Sequence, residues 1–419
     1  MNTVKLALRS LMRNRSRSLV TVLSIALGFA AIALFAGYTH NVYDGLARQS
    51  IHGEMIGHLT LSKRGMSKEG KLNPEKYLLN AADIARINDL LRDEPHIKLV
   101  TPRLALSGIV SNGRASTIFI AEGITPLAMQ QLQVGYLTEL EVQGGAFNGY
   151  LKKLDAAHNE VVLLSSGLAE LLHLPLQGQA ALLVNTLTGQ ANALDVTVGS
   201  TFHTGSAGTN DMMAFISLAL AQSLYDAPGD ADRLTVLLDD VRLTDVMRDR
   251  LQEKFRVAGL DMEIKTWREL SAFYSQVHNM FDMIFGFIFS IVLTVVVMSV
   301  ANSMGMTVIE RTREIGTLRA IGLRRHGVVR LFVTESMLLT LLGCASGLML
   351  ALLVRYGINL ADITYTPPDS ATPVPLLVDM DYVRSLFTFI LMALVGTLAA
   401  YLPARRAAKQ AIIDALGHV

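Results

Sequence analysis

The sequence predicts an α-helical membrane protein of four spans, with a large α+β domain inserted between the first span and the second. Three observations predict it. Of 419 residues, 51% are hydrophobic and only 17% charged, whereas a soluble domain carries about a quarter charged residues. The apolar residues collect in four runs, broken only by Glu335 in the third, each long enough to cross about 30 Å of hydrocarbon. The charges are segregated, so that basic and acidic flanks alternate along the chain although the net charge is only +1.

Residues 1–17 hold Lys5, Arg9, Arg13, Arg15 and Arg17 and no acid, and the uncharged run from Ser18 to Tyr43 follows. We place the first span at 18–40. A basic start before an apolar run is also the pattern of a secretory signal peptide. This run is longer than a signal core, and its removal would leave three spans and an untethered domain terminus. Residues 41–279 mix charged, apolar and turn residues, and form the external domain. Strands are expected at His58–Ser62, Ile118–Ala121, Val161–Leu164, Ala181–Asn185, Leu194–Val198 and Leu234–Leu238. Helices are expected at Ala81–Leu91, Ser166–Leu172, Ser217–Tyr225 and Thr244–Ala258. About 240 residues can bury a core without disulfides, and the only cysteine, Cys344, lies in an apolar run. Two lobes suit that length, with the Gly-rich loop Gly144–Gly149 as a candidate boundary. The domain is expected to end in a stalk helix around Trp267–Asp282 that continues into the second span, 280–303.

A basic loop, 304–331, precedes the third span, 332–354. The loop 355–384 is acidic, with Asp362, Asp369, Asp379 and Asp381. The fourth span is 385–403, and the tail 404–419 starts with Arg405, Arg406 and Lys409. The positive-inside rule puts both termini and the 304–331 loop in the cytoplasm, and the large domain and acidic loop outside.

No catalytic, metal or cofactor constellation stands out. Gly65 to Lys71 matches a phosphate-binding loop, but Leu72 stands where Ser or Thr must ligate Mg²⁺, and Pro74 interrupts the helix that should follow. The histidines are scattered without HExxH, and GxSxG is absent. The 304–331 loop carries Glu310, Arg311, Arg313, Glu314 and Arg319, with Ile315, Leu318 and Ile321 at three-residue steps. That pattern predicts a short amphipathic helix with its apolar residues on one stripe, stopped at Gly322. Glu335 is the one acid within a span, and Arg325 or Arg330 is its expected partner in a latch. Gly28, Gly343, Ser346 and Gly347 permit close helix approach, either at a dimer face or within the chain.

With these residues laid out, the chain resembles the permease subunits of MacB/FtsX/LolCDE-type ABC transporters, the type VII or mechanotransmission group. Glu310-Arg-Thr-Arg-Glu-Ile-Gly316 with Leu318-Arg-Ala-Ile-Gly322 is similar to the family's coupling helix, and Phe332-Val-Thr-Glu335-Ser336 to its third span. Leu402-Pro-Ala-Arg-Arg-Ala-Ala408 through Asp414-Ala-Leu416 resembles its ending, and Glu160 to Ala169 and Lys265 to Glu269 resemble external segments. The resemblance implies a chain that binds no nucleotide itself. A dimer of separate ATPase subunits, carrying ATP and Mg²⁺, would dock at Glu310, Arg311, Arg313, Glu314, Ile315, Gly316, Leu318, Arg319 and Gly322. It further implies a second permease chain, identical or homologous, contact with membrane lipid, a periplasmic adaptor or acceptor protein, and no nucleic acid. Within the family a LolC/LolE-like lipoprotein-releasing permease of the bacterial inner membrane is expected from the Gly57–Leu61 strand and the length. The alternative is a MacB-like exporter of peptides or small hydrophobic molecules; the 17 residues before the first span disfavour MacB proper, whose ATPase is fused there, and leave split exporters open. An FtsX-like regulator is disfavoured by the size of the external domain. A membrane receptor would need a cytoplasmic output module larger than the about 28-residue loop.

Overall fold

The computed structural model describes residues 15–70, 72–133, 160–202, 207–365 and 374–409, together with Ala7, Leu11, Met12 and Thr204. The loop Gly144–Gly149 and the ending Asp414–Leu416 lie outside these residues. The chain divides into two compact units: Met1–Tyr43, Val277–Ile363 and Leu376–Val419 form one, and Asp44–Gln276 with Thr364–Pro375 form the other.

The first unit is helical. Its elements are α1 (Arg15–Arg48), α2 (Ala272–Glu310), α3 (Thr312–Ala320), α4 (Arg325–Leu360), α5 (Tyr382–Ala399) and α6 (Tyr401–Lys409). Four helical stretches, Arg15–Gly53, Ala272–Glu310, Arg325–Leu360 and Tyr382–Lys409, are long and apolar enough to cross a membrane. They overrun the spans expected from hydropathy, because an uncharged run marks only the apolar part of a helix. Leu19, Leu23 and Leu27 of α1 face outward while Ile25, Phe29, Ile32 and Ala33 are buried.

The small residues are spent on contacts within this unit. A Cβ on Gly28 would lie 2.7 Å from Val292 of α2, one on Gly343 2.6 Å from Ile25, and one on Gly347 2.6 Å from the Ala26 carbonyl. The dimer-face alternative for Gly28, Gly343 and Gly347 therefore gives way to intrachain packing, since α1 and α2 already fill the space each glycine leaves. Ser346 is exposed, and its hydroxyl donates back to the Leu342 carbonyl of its own helix at 2.8 Å. At the other end of the bundle Asn41 donates to Asp379 at 3.1 Å, and the Tyr43 ring stacks on His278 with centroids 4.5 Å apart. Asp381 caps α5, accepting from the Arg384 amide at 2.9 Å.

The second unit is the α+β domain. The strands of its main sheet are β1 (Leu59–Lys63), β2 (Ile97–Ser111), β3 (Ser116–Ile124), β4 (Val161–Ser165), β5 (Gln179–Asn185), β6 (Ala191–Phe202), β7 (Met213–Ser217), β8 (Arg233–Leu238) and β9 (Met262–Thr266), and Thr364–Tyr365 pairs separately with Val374–Pro375. The 15-residue β2 serves two sheets. Its first half pairs with β8, in a four-stranded sheet ordered β2-β8-β1-β9. Its second half pairs with β3 and β5, and the remaining pairings close a ring, β2-β3-β7-β4-β6-β5. The domain is thus an open α/β lobe and a six-stranded barrel that share β2, with Leu237 and Trp267 packed in one core with Ile124, Leu163 and Phe215.

Each lobe has its own core. In the open lobe, Ile87 and Leu91 of the helix Ala81–Leu91 and Met247, Leu251 and Phe255 of Thr244–Val257 cover Leu59, Leu61, Leu234, Val236 and Ile264. The four-residue steps put those helical side chains on one face. In the barrel, alternate residues such as Leu104, Leu106, Val110, Phe119, Ala121, Val162, Leu164, Val196 and Val198 point inward. Helix Leu218–Tyr225, capped by the Ser217 hydroxyl, contributes Leu218, Leu220, Ala221 and Leu224. Asn80 caps Ala81–Leu91 through a capping box with Asp83.

Two polar features sit in this unit. Arg103 of β2, 2% exposed, donates to Glu122 of β3 at 3.1 Å and to the Met55 carbonyl. Arg233 of β8 bridges the same Glu122 and, at 2.6 Å, Asp232. Glu122 is held below its usual range by the two guanidinium groups against the penalty of burial. The cluster lies where β2 passes from one sheet to the other.

His58 is buried, and its Nδ1 accepts from the Leu238 amide at 3.1 Å, so the ring is neutral with the proton on Nε2. Burial lowers its pKa to about 4, with His52 and Lys98 adding repulsion. A base whose folded pKa is depressed contributes stability above its unfolded pKa that is lost as pH falls. Thermal melts of the detergent-solubilised protein should therefore show a loss of about 3 kcal/mol between about pH 6.5 and pH 4. His58→Asn, which keeps an acceptor without titrating, should flatten that slope. Equal slopes for the two proteins would refute this assignment.

Candidate functional site

The turn from α2 through α3 to α4 is where the charged motif lies. At Arg311 the backbone leaves helical geometry, φ −106° and ψ 14°, and α3 starts afresh at Thr312. The Thr312 hydroxyl donates to the Val308 carbonyl at 2.9 Å, tying the new helix to the old one. Thr312, Ile315 and Gly316 are buried, with Ile315 packed in the same core as Val308 and Val328. The opposite face presents Arg313, Thr317, Ala320 and Ile321 to the outside, and Ile321 is 79% exposed. Gly322, at φ +106°, ends α3 in a Schellman motif. The Leu323 amide donates to the Leu318 carbonyl at 3.0 Å, and the Gly322 amide to that of Arg319 at 3.1 Å.

The single apolar stripe expected of Ile315, Leu318 and Ile321 is corrected by this geometry. A three-residue step falls about 60° short of a turn, so by Ile321 the side chain has left the buried face. Leu318 and Arg319 are half-buried between the two.

Two consecutive residues at the joint between α2 and α3 pair with neighbouring helices, the exposed Glu310 and the half-buried Arg311. Glu310 accepts a forked pair of hydrogen bonds from Arg17 of α1, at 2.9 and 2.5 Å. Arg311 donates from Nε to Glu314 at 2.9 Å and from Nη1 to Glu335 of α4 at 3.4 Å, and its guanidinium carbon lies 6.0 Å from the centre of the Phe332 ring. Glu335 is 2% exposed. From spacing alone Arg325 or Arg330 is the expected partner of Glu335, whereas the partner seen is Arg311. Arg330 precedes Glu335 by five residues, which places it about 140° around the helix, and Arg325 lies nearly three turns away.

The nine residues of the motif therefore do not form one surface. Arg313 and Gly322 are exposed, Glu314, Leu318 and Arg319 are half-buried, Ile315 and Gly316 are buried, and Glu310 and Arg311 are tied to α1 and α4. Sequence reading misses Arg17, whose partner is 293 positions away, and Thr317, which gains meaning only from the exposed face. Gly65 to Leu72, the imperfect phosphate-loop match, folds in part as the one-turn helix Met66–Glu69, and Lys71 lies outside the described residues.

Comparison with known proteins agrees with this architecture. The profile of the MacB-like periplasmic core domain matches residues 18–254, and that of the FtsX-like permease C-terminal part matches 286–412. The chain belongs to the MacB/FtsX-like family of ABC transporter permeases. It is 25% identical over 99% of its length to the pyoverdine export ATP-binding/permease protein PvdT of Pseudomonas putida, of which it covers 59%. It is 24% identical over 99% of its length to the macrolide export ATP-binding/permease protein MacB of a Shewanella species, of which it covers 60%. Among solved structures, the periplasmic region of MacB from Actinobacillus actinomycetemcomitans is 16% identical, with a TM-score of 0.34 over 53% of this chain and 93% of that one. The relatives are thus of the MacB and PvdT kind, and the LolC/LolE-like affinity expected from sequence finds no support among them. A MacB/FtsX-like membrane permease with a large periplasmic domain is an inner-membrane protein.

Proposed function

We propose that this MacB/FtsX-like permease is driven by a separate ABC ATPase that docks on the exposed face of α3, formed by Arg313, Thr317, Ala320 and Ile321. The observation that carries the reading is the division of α3 into a face built into the bundle and a face that shows a cation beside a bare isoleucine. ATP hydrolysis takes place in the partner, and both termini and α3 lie in the cytoplasm. A second permease chain completes the unit, and the stroke reaches the periplasmic domain through α1 and α2, which lead into and out of it. The cargo is an amphiphile taken up on the periplasmic side. The named exports of the relatives, pyoverdine and macrolides, favour a small-molecule cargo over a lipoprotein, and a periplasmic adaptor fits either use.

Co-purification from cells expressing this chain and its ATPase subunit tests the docking. Arg313→Glu is expected to lower the captured ATPase at least tenfold, since an interfacial charge reversal costs several kcal/mol. Thr317→Ala should leave most of it. Undiminished capture by Arg313→Glu would overturn the docking face.

A further inference from the structure

We infer that Arg311 is a positioning residue that locks α3 to α4 and is not itself a contact for the ATPase. The inference rests on the docking reading of α3 given above. The guanidinium is occupied from two sides, by Glu314 on α3 at 2.9 Å and Glu335 on α4 at 3.4 Å, over the Phe332 ring. Glu335, 2% exposed within a long apolar helix, requires a counter-charge, and Arg311 brings one. The residue before it, Glu310, holds Arg17 of α1 in a forked pair. Two adjacent side chains at the end of α2 thereby attach that end to α1, α3 and α4.

This arrangement has a mechanical meaning. The nine-residue α3 is also held to the bundle by the packing of Thr312, Ile315 and Gly316 and by the Thr312 hydroxyl on the Val308 carbonyl. A partner pushing on Arg313 and Ile321 would turn so short a helix about its own axis. The Arg311 guanidinium resists that turn, because rotation separates it from a buried carboxylate that has to stay paired. The push is therefore shared between α2 and α4 and not absorbed at the joint.

The experiment uses the full chain with its ATPase subunit and the variants Arg311→Gln, Glu335→Gln and the two combined. Two quantities are read: the melting temperature of the purified permease, and ATP turnover per captured ATPase subunit. Each single variant should melt below wild type, and the double variant, which removes the buried carboxylate together with its guanidinium, should melt near it. All three should capture wild-type amounts of ATPase while stimulated turnover falls several-fold. Stability restored without restored turnover separates positioning from simple support of the fold. Arg311→Lys keeps the charge but lacks the fork that meets two carboxylates. It should capture ATPase and stimulate poorly, and it serves if Arg311→Gln does not fold. Wild-type turnover in the double variant overturns the inference. So does loss of ATPase from Arg311→Gln alone while Glu335→Gln captures it normally. Failure of the docking reading shows separately, as undiminished capture by Arg313→Glu.

Discussion

Glu122→Ala is expected to destabilise the periplasmic domain by about 3–5 kcal/mol, the cost of breaking a buried ion pair from one side. Glu122 accepts from Arg103 and Arg233 together, and Arg103 is 2% exposed. Without it two guanidinium groups face each other with Asp232 as the remaining carboxylate of the cluster, whose own pKa burial raises to about 6. Arg103 is kept from water by its burial and by the Met55 carbonyl that it also holds. The check is thermal unfolding or limited proteolysis of the whole permease in detergent. Glu122→Ala combined with Arg103→Met should recover much of the loss, because it removes the stranded charge. A single variant that melts like wild type would show that the cluster is solvated and unimportant.

Gly347→Val is expected to disrupt the helical unit. The added Cβ would lie 2.6 Å from the Ala26 carbonyl oxygen and 3.0 Å from the Phe29 Cβ, so α1 must be pushed off α4. Overpacking a well-filled interior costs about 1–3 kcal/mol, and here the obstacle is backbone that cannot change rotamer. Gly286→Ala on α2 is the control, because nothing lies within 4 Å of its added Cβ. It should be neutral or slightly stabilising. Melting temperature and yield of monodisperse protein read the difference. Were Gly347 a contact between two copies, its valine variant would fold normally and come out as a monomer, which would refute the intrachain assignment.

The four long helices and most of the strands are legible in the sequence because their signals are local. An uncharged run of spanning length, or an alternation bounded by turn residues, needs no knowledge of partners. β2 escapes because Pro102, Arg103 and Gly108 break its pattern. The structure shows why each is tolerated. Pro102 sits in the half of β2 that forms a sheet edge, Arg103 enters the ion cluster, and Gly108 lies 2.2 Å, by its absent Cβ, from the Leu183 carbonyl. Closure of the barrel is invisible for a different reason. It depends on β3 meeting β7, where Ile120 pairs with Met213 far along the chain. At the α3 turn the residue types are legible and their directions are not. Whether Arg311 faces outward or inward is decided by Glu335, 24 positions on in another helix.

The ring of strands also bears on how the domain survives outside the cell's chaperoned interior. A strand with an unpaired edge is a template onto which a foreign chain can stack. Closing six strands on themselves abolishes that hazard over most of the nine-stranded sheet, leaving β9 and the first half of β2 as its open rims. Those rims carry Glu263 and Lys265 on one side and Lys98 and Pro102 on the other. Like gatekeepers, the charges repel an incoming strand and the proline denies it a hydrogen bond, so the periplasmic domain remains a poor seed for aggregation.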